Sequence, residues 1–155
     1  MNSGVDRLVG RPFVLDASVL VARVRVGEPG HPSSQTLLSR LLSASAQLCV
    51  PAIATAEVAA ALKRGTGDET WSLRAVADLK RLPGLRIIPV DERLGDLAAD
   101  IASRHSIRGC DAIYVALARA LAAVLVTLDR EQLERSPADV VARTPAQAAA
   151  DLDTP

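Results

Sequence analysis

Four acidic residues lie in sequence contexts where apolar or small neighbours are expected to be buried. Asp16 follows the apolar run FVL, and Asp129 follows the apolar run AVLVTL. Glu57 lies within the alanine-rich segment PAIATAEVAAAL, and Asp111 begins the apolar segment DAIYVALA. Because an ionised carboxylate is costly to remove from water unless a partner compensates its charge, these four positions are candidates for a functional site.

Convergent carboxylates would favour one particular chemistry. They repel one another, and a bound divalent cation removes that repulsion. A ligand set made only of oxygen atoms, without His or Cys, suits Mg²⁺ or Mn²⁺, and such ions often complete their coordination shell with phosphate oxygens. We therefore expect hydrolysis of a phosphodiester. The sequence contains neither GxxxxGK[ST] nor GxGxxG, so a loop that cradles a nucleotide is not predicted.

Each acid also has a structural explanation when it is considered alone. Asp129 with Gln132 fits a capping box, and Asp111 in a first helical turn is favoured by the helix dipole. Asp16 could cap the helix that follows it. Glu57 has the weakest structural explanation, because it lies well inside its predicted helix. None of these explanations accounts for four acids around one crevice.

The elements that must position these acids are short apolar runs alternating with longer segments of helical periodicity. The runs predict strands at residues 13–15, 47–50, 85–90, 123–128 and, more weakly, 139–142. The periodic segments predict helices at residues 18–26, 31–44, 51–64, 68–82, 91–105 and 111–121. This alternation is typical of βαβ units around a parallel sheet. Ligands bind beyond the carboxyl ends of such strands, so one crevice could receive all four acids.

Composition restricts the classes of partner. A chain of 155 residues fits one domain. Lys plus Arg number 18, as do Asp plus Glu, so the formal net charge is zero and bulk positive charge cannot hold a nucleic acid. Aromatic residues make up only 2% of the chain, which argues against a base-stacking surface and predicts an aliphatic core.

The same sequence favours a cytoplasmic protein. It shows no signal-peptide pattern, and no uninterrupted apolar stretch reaches the roughly 18 residues of a membrane span, so no membrane association is expected. Cys49 and Cys110 lack metal-binding spacing and are expected to be reduced core residues.

Three segments, LDASVLV, PAIATAEV and CDAIYVALARALAAVLVTLDREQL, resemble in this order the motifs of the PIN domain, and specifically those of VapC-type toxins of toxin–antitoxin pairs. The resemblance runs roughly from Phe13 to Val141. It implies a three-layer α/β/α PIN-like fold with a central parallel sheet of four or five strands. We expect one domain over residues 1–155, with a core at about 13–142 and terminal extensions that could be frayed.

The resemblance also implies roles for individual residues. The four acids match the acidic positions of the family and are expected to be catalytic and to bind Mg²⁺ or Mn²⁺: Asp16, Glu57, Asp111 and Asp129. Two hydroxyl residues match supporting positions that could orient a carboxylate or a metal-bound water: Ser18 and Thr127. Four arginines close in sequence to the predicted crevice are possible RNA contacts, although a solvated surface charge is the simpler interpretation of each: Arg23, Arg25, Arg108 and Arg130.

Family members resemble Mg²⁺- or Mn²⁺-dependent endoribonucleases that are commonly homodimers silenced by a small antitoxin. We therefore expect a metal-dependent ribonuclease, the toxin of a type II toxin–antitoxin system, that cleaves tRNA, rRNA or mRNA. The alternative is a non-catalytic PIN-fold module that binds RNA or protein. A small-molecule phosphatase or phospho-acceptor domain is a third class, disfavoured because the first strand is followed by DAS rather than DxD.

Overall fold

The computed structural model describes residue 8 and residues 10–153. These residues form five strands and eight helices in the order β1 (Phe13–Leu15), α1 (Ala17–Val24), α2 (His31–Ser43), β2 (Leu48–Pro51), α3 (Ile53–Thr66), α4 (Glu69–Lys80), β3 (Leu85–Ile88), α5 (Glu92–His105), α6 (Gly109–Ala120), β4 (Val124–Val126), α7 (Arg130–Arg135), β5 (Val141–Arg143) and α8 (Pro145–Leu152).

The five strands form one parallel sheet in the order β3-β2-β1-β4-β5. In β1 and β4 every residue is buried, because sheets covered on both faces select short runs of Val, Leu and Phe. Phe13 pairs with Val124, and Leu15 pairs with Val126. The predicted three-layer α/β/α fold with a parallel sheet of four or five strands is confirmed.

The strand order reverses between β1 and β4. From β1 the chain continues to β2 and β3 on one side, and it later places β4 and β5 on the other side. The sheet hydrogen bonds also continue beyond these two strands: the amide of Asp16 donates to the Val126 carbonyl at 2.9 Å, and the amide of Thr127 donates to the Arg143 carbonyl at 3.0 Å. A crevice at such a reversal is the usual ligand site of an open α/β sheet.

Helix α6 is the best buried of the helices and carries one of the acids into the core region. It contacts β1, β2 and β4 and packs against α5. The side chains of Ala112, Tyr114, Val115 and Leu117 are almost fully buried. The core is built mainly from Leu, Val and Ala, as the composition predicts.

Some local predictions were wrong. Pro51 ends β2 rather than starting α3, because the ladder with β3 extends to Ile88. Cys110 is exposed at the start of α6, whereas Cys49 is buried. The short helix α7 was not predicted.

The chain ends outside the predicted core differ in how far they are described. The C-terminal tail contains α8, which begins with a complete capping box between Thr144 and Gln147. Most of the predicted N-terminal extension lies outside the described residues. Within residue 8 and residues 10–153, no helix has the length and apolar character needed to cross a bilayer.

Candidate active site

The four predicted acids come from four different elements and line one open cavity of about 430 Å³. Asp16 and Asp129 are the N-cap residues that follow β1 and β4, Glu57 lies in α3, and Asp111 lies in the first turn of α6. The cavity is therefore at the carboxyl ends of β1 and β4, where the strand order reverses. The structure brings the four acids together, and their chemical roles stay predictions.

A larger cavity of about 890 Å³ lies near the amino ends of β1 and β2. Its lining includes Gly10, Ser39, Ala46 and Leu152, and none of the four acids. We assign the candidate site to the smaller cavity, because convergent carboxylates indicate chemistry and volume alone does not.

Asp16 is the most rigidly held of the acids. Its side chain is only 5% exposed, and it caps α1 through the amide of Ser18 at 3.0 Å. The Ser18 hydroxyl also donates to it, and the Thr127 hydroxyl donates to the same oxygen, Oδ2, at 3.3 Å. Both hydroxyl residues singled out in the sequence therefore contact Asp16. Thr127 in turn accepts from the amide of Asp129 at 2.9 Å, which links the acids at the ends of two strands.

Glu57 is held by the single tyrosine of the chain. The hydroxyl of the fully buried Tyr114 donates to Oε2 of Glu57. Burial raises the pKa of Glu57, the Tyr114 hydrogen bond lowers it, and the charges of Asp16 and Asp111 raise it again, with a net upward shift. The pKa of Tyr114 is raised, first by burial and then by its bond to Glu57, so its hydroxyl remains a donor.

Arg108 lies between two of the acids. Its Nε atom is 2.9 Å from Oδ2 of Asp111, its Nη2 atom is 2.9 Å from Oδ2 of Asp129, and Oε2 of Glu131 lies 3.6 Å from Nε. The pKa of Asp111 is nevertheless raised, because burial and the charges of Asp129 and Asp16 outweigh the lowering by Arg108. The structure thus pairs this predicted RNA contact with the site's own carboxylates.

Gln132 is a site residue that the sequence reasoning missed. It is completely buried, and its Nε2 atom lies 3.0 Å from Oδ1 of Asp16 and 3.4 Å from Oδ1 of Asp111. Its Oε1 atom is buried and has no hydrogen-bond partner among the described residues. The capping box suggested by the sequence is only half formed. The backbone amide of Gln132 donates to Oδ1 of Asp129, whereas the Gln132 side chain contacts Asp16 and Asp111.

The remaining predicted RNA contacts do not line the cavity of the four acids. Arg23 lines a separate cavity with Trp71, Arg25 forms an ion pair with Glu28 at 2.6 Å, and Arg130 forms one with Glu134 at 2.6 Å. A different cation, Arg64 in α3, does line the cavity. The signal that would have identified Arg64 is its spacing of seven residues from Glu57, which places both on one helical face.

The chemistry of the four carboxylates and the charge of the cavity suit a hard divalent cation, but the side chains as they are placed do not form a ready-made metal site. All four acids carry oxygen atoms that could act as ligands. Burial first, and then mutual repulsion, raises the pKa values of Glu57 and Asp111, and a bound divalent cation would relieve that repulsion. Within the described part of the chain, no three His, Cys, Asp or Glu side chains are placed so that they could hold a metal ion. An ion that takes Asp111 and Asp129 as ligands would have to replace Arg108.

We expect Glu57→Gln to stabilise the metal-free protein at neutral pH and to have little effect in acid. The folded-state pKa of Glu57 is raised, so its contribution to stability is complete below its ordinary value of 4.5 and is lost as the pH rises through the folded value. Gln keeps an oxygen that can accept from Tyr114. Thermal melting in EDTA from pH 4 to pH 8 measures this, with the exposed Glu134→Gln as control. A stability difference that shrinks as the pH rises would contradict the assignment.

Comparison with solved structures gives close matches of fold at low sequence identity. VapBC2 from Rickettsia felis, solved bound to a DNA fragment from its promoter, matches with a TM-score of 0.67 and 15% identity over 85% of this chain and 97% of that chain. VapC20 from Mycobacterium tuberculosis, a sarcin–ricin loop cleaving toxin, matches with a TM-score of 0.64 and 20% identity over 76% of this chain and 90% of that chain. FitAcB from Neisseria gonorrhoeae matches with 0.63 and 24% identity over 86% and 97%.

Comparison of sequences identifies the family. No curated protein matches the chain significantly. The family model of the PIN domain matches residues 13–136. This range includes the four acids of the cavity and Gln132, which contacts two of them. With most of its length matched, the chain belongs to the PIN domain family.

Proposed function

We propose that this protein is a Mg²⁺- or Mn²⁺-dependent endoribonuclease, and that residues 1–155 form a single PIN-like domain acting in the cytoplasm. The observation that carries the proposal is the convergence of four carboxylates in one cavity at the strand reversal of a PIN domain. PIN domains are generally nucleases, and a site with only oxygen donors suits phosphodiester chemistry better than acyl transfer.

The proposed ligands are Asp16, Glu57, Asp111 and Asp129. A bound divalent ion would polarise the scissile phosphate and lower the pKa of an attacking water. Ser18, Thr127 and Gln132 hold the carboxylate of Asp16 from three directions, so its orientation does not have to be selected when substrate binds. Tyr114 does the same for Glu57.

The toxin assignment, with a small antitoxin and a second copy of the chain as partners, is supported by similarity of fold. One of the structures similar in fold is a toxin–antitoxin complex from Klebsiella pneumoniae, and VapC20 is described as a toxin that cleaves the sarcin–ricin loop. An antitoxin would also find apolar surface beyond the far end of α1, the helix that Asp16 caps: Val26 is 80% exposed and lines a cavity with Trp71.

The test of the proposed function is cleavage of a total tRNA and rRNA pool by the purified chain. Mg²⁺ or Mn²⁺ should support the appearance of discrete fragments, and EDTA should abolish it. Fragments that persist in EDTA would point to a contaminating metal-independent nuclease. An intact RNA pool under both ions would reject the assignment. Hydrolysis of a phosphomonoester without RNA cleavage would support the phosphatase class.

The second candidate function is a non-catalytic module that binds RNA or protein. It is favoured by Arg108, whose guanidinium pairs with both Asp111 and Asp129 and offsets part of their charge without any ion. In such a module RNA would bind equally well in Mn²⁺ and in EDTA, and no fragments would form. Binding of labelled RNA measured by fluorescence anisotropy in both buffers separates the two functions.

We expect Arg108→Gln to strengthen Mn²⁺ binding by about three- to tenfold. Removing the guanidinium removes the cation that competes for Asp111 and Asp129, and the effect is modest because Arg108 is largely exposed and its ion pairs are screened by water. Isothermal titration calorimetry of the metal-free protein measures the dissociation constant. Arg130→Gln, which breaks an ion pair outside the cavity, is the matched control. Unchanged or weaker binding in Arg108→Gln would mean that these two acids are not ligands.

A further inference from the structure

Arg64 is the cation among the described residues that line the cavity of the four acids, and its side chain has no partner among them. Its side chain is exposed and forms no ion pair or hydrogen bond with any residue that the structure describes. Arg108 is committed to Asp111 and Asp129, and Arg25 to Glu28. The positive charge available to a substrate inside this cavity is therefore that of Arg64.

The surface between Glu57 and Arg64 is open and almost featureless. The two residues lie seven positions apart on α3, a separation of about 10 Å along the helix axis. The intervening residues that line the cavity are Ala60 and Ala61, whose side chains are too short to fill it. The cavity thus has a carboxylate end and a cationic end, separated by an apolar floor.

These two ends favour different parts of a polyanion. A phosphate at the carboxylate end is repelled unless a cation is bound there, whereas a phosphate near Arg64 is attracted directly. A single phosphate group cannot occupy both ends at once, but consecutive phosphates of a nucleic-acid strand can lie along the floor.

The neighbouring residues explain why Arg64, rather than another cation of α3, is left free. Lys63 donates to the carbonyl of Gly67 at 2.6 Å and so stabilises the end of α3. Gly65 has no side chain, and a Cβ atom built there would lie 2.7 Å from Cζ of Arg25. The Arg25 guanidinium therefore packs over the Gly65 backbone from α1, and its positive charge disfavours an approach of the Arg64 guanidinium to that side of the helix.

We infer that Arg64 binds a phosphate of the RNA strand adjacent to the scissile phosphate, and so makes the enzyme act on strands rather than on isolated phosphodiesters. This inference rests on the proposed ribonuclease function. Arg64 is a substrate-binding residue in it and not a metal ligand, because a guanidinium has no acceptor atom.

The test compares Arg64→Gln with Lys63→Gln, which removes the same charge from the adjacent position. The readouts are steady-state cleavage of a short mixed-sequence single-stranded RNA in Mn²⁺ at several salt concentrations, and Mn²⁺ affinity by calorimetry. Arg64→Gln should raise KM by about tenfold with little change in kcat, since it removes a charge-assisted contact made equally before and during the reaction. The slope of log(kcat/KM) against log salt should become shallower by about one.

Two further variants keep the outcome specific. Lys63→Gln should leave KM and the salt slope near wild type, and Arg64→Lys should restore most of the affinity, because a phosphate accepts a point charge. Mn²⁺ affinity should be unchanged in Arg64→Gln.

Three results would overturn the inference alone, in each case with wild type cleaving RNA: equal losses in Arg64→Gln and Lys63→Gln, a loss confined to kcat, or an unchanged salt slope. Failure of the wild type to cleave RNA would instead remove the proposed function, and this inference with it.

Discussion

Replacing Asp111 by Asn is expected to lower RNA cleavage at least about a hundredfold while leaving the protein folded. The change removes one of the four carboxylates that would hold the divalent ion, and a metal's stabilisation of a phosphoryl transition state amounts to several kcal/mol. The folded state should not be weakened, because Asp111 is a carboxylate whose pKa burial and its neighbours raise, and the amide carries no charge to bury.

The measurement is initial-rate cleavage in Mn²⁺, with thermal melting of each protein in EDTA. Asp100→Asn is the matched control, because Asp100 also pairs with an arginine, Arg104 at 2.6 Å, but on the exposed face of α5. Calorimetry adds a readout besides activity: Asp111→Asn should weaken Mn²⁺ binding, and Asp100→Asn should not. Full cleavage by Asp111→Asn in a preparation free of other nucleases would remove Asp111 from the site.

Gln132→Glu is expected to destabilise the metal-free protein by about 3 kcal/mol at neutral pH. The change is nearly isosteric, but it replaces the buried amide that donates towards Asp16 and Asp111 with a third negative charge. An uncompensated buried charge costs about 3–5 kcal/mol in such substitutions. The loss should diminish in acid. Burial among carboxylates would raise the folded-state pKa of the introduced carboxyl, so at low pH it is protonated and carries no charge.

Urea denaturation in EDTA at pH 7 and pH 4.5 measures this effect. Gln35→Glu places the same charge on the exposed face of α2 and should change stability little. Saturating Mn²⁺ should recover part of the lost stability, since a cation in the cavity offsets the added charge. Wild-type stability of Gln132→Glu in EDTA at pH 7 would show that the Gln132 side chain does not bridge the two acids in solution.

The fold and the four acids were accessible from the sequence because their signals are local. The runs FVL and AVLVTL are apolar enough to indicate buried strands, and an aspartate directly after such a run must lie at the strand end. Helix α7 was not predicted because it lacks such a local signal: six residues are too few to show a helical period.

The partners of the acids were not accessible, because they depend on how the elements are rotated against one another. Gln132 had a sufficient local explanation as a capping residue, and only the packing of α7 over the cavity directs its amide to Asp16. From the sequence Arg108 was a solvated surface charge or a possible RNA contact, and the approach of α6 to α7 pairs it with Asp129 instead. Arg64 shares a helical face with Glu57 by its spacing, but only the structure shows that this face of α3 lines the crevice.

The hydrogen bonds that extend the sheet beyond β1 and β4 bear on how the site can be silenced. The amides of Asp16 and Thr127 are part of the central ladder, so exposing or rearranging these residues requires opening the middle of the sheet, at a free energy close to that of global unfolding. Local unfolding of these residues therefore requires too much free energy to inactivate the site reversibly. The side chain of Arg108 is 69% exposed and can move at little cost. If the proposed ribonuclease is controlled at this site, the structure favours a partner that covers the crevice from outside and leaves its floor intact.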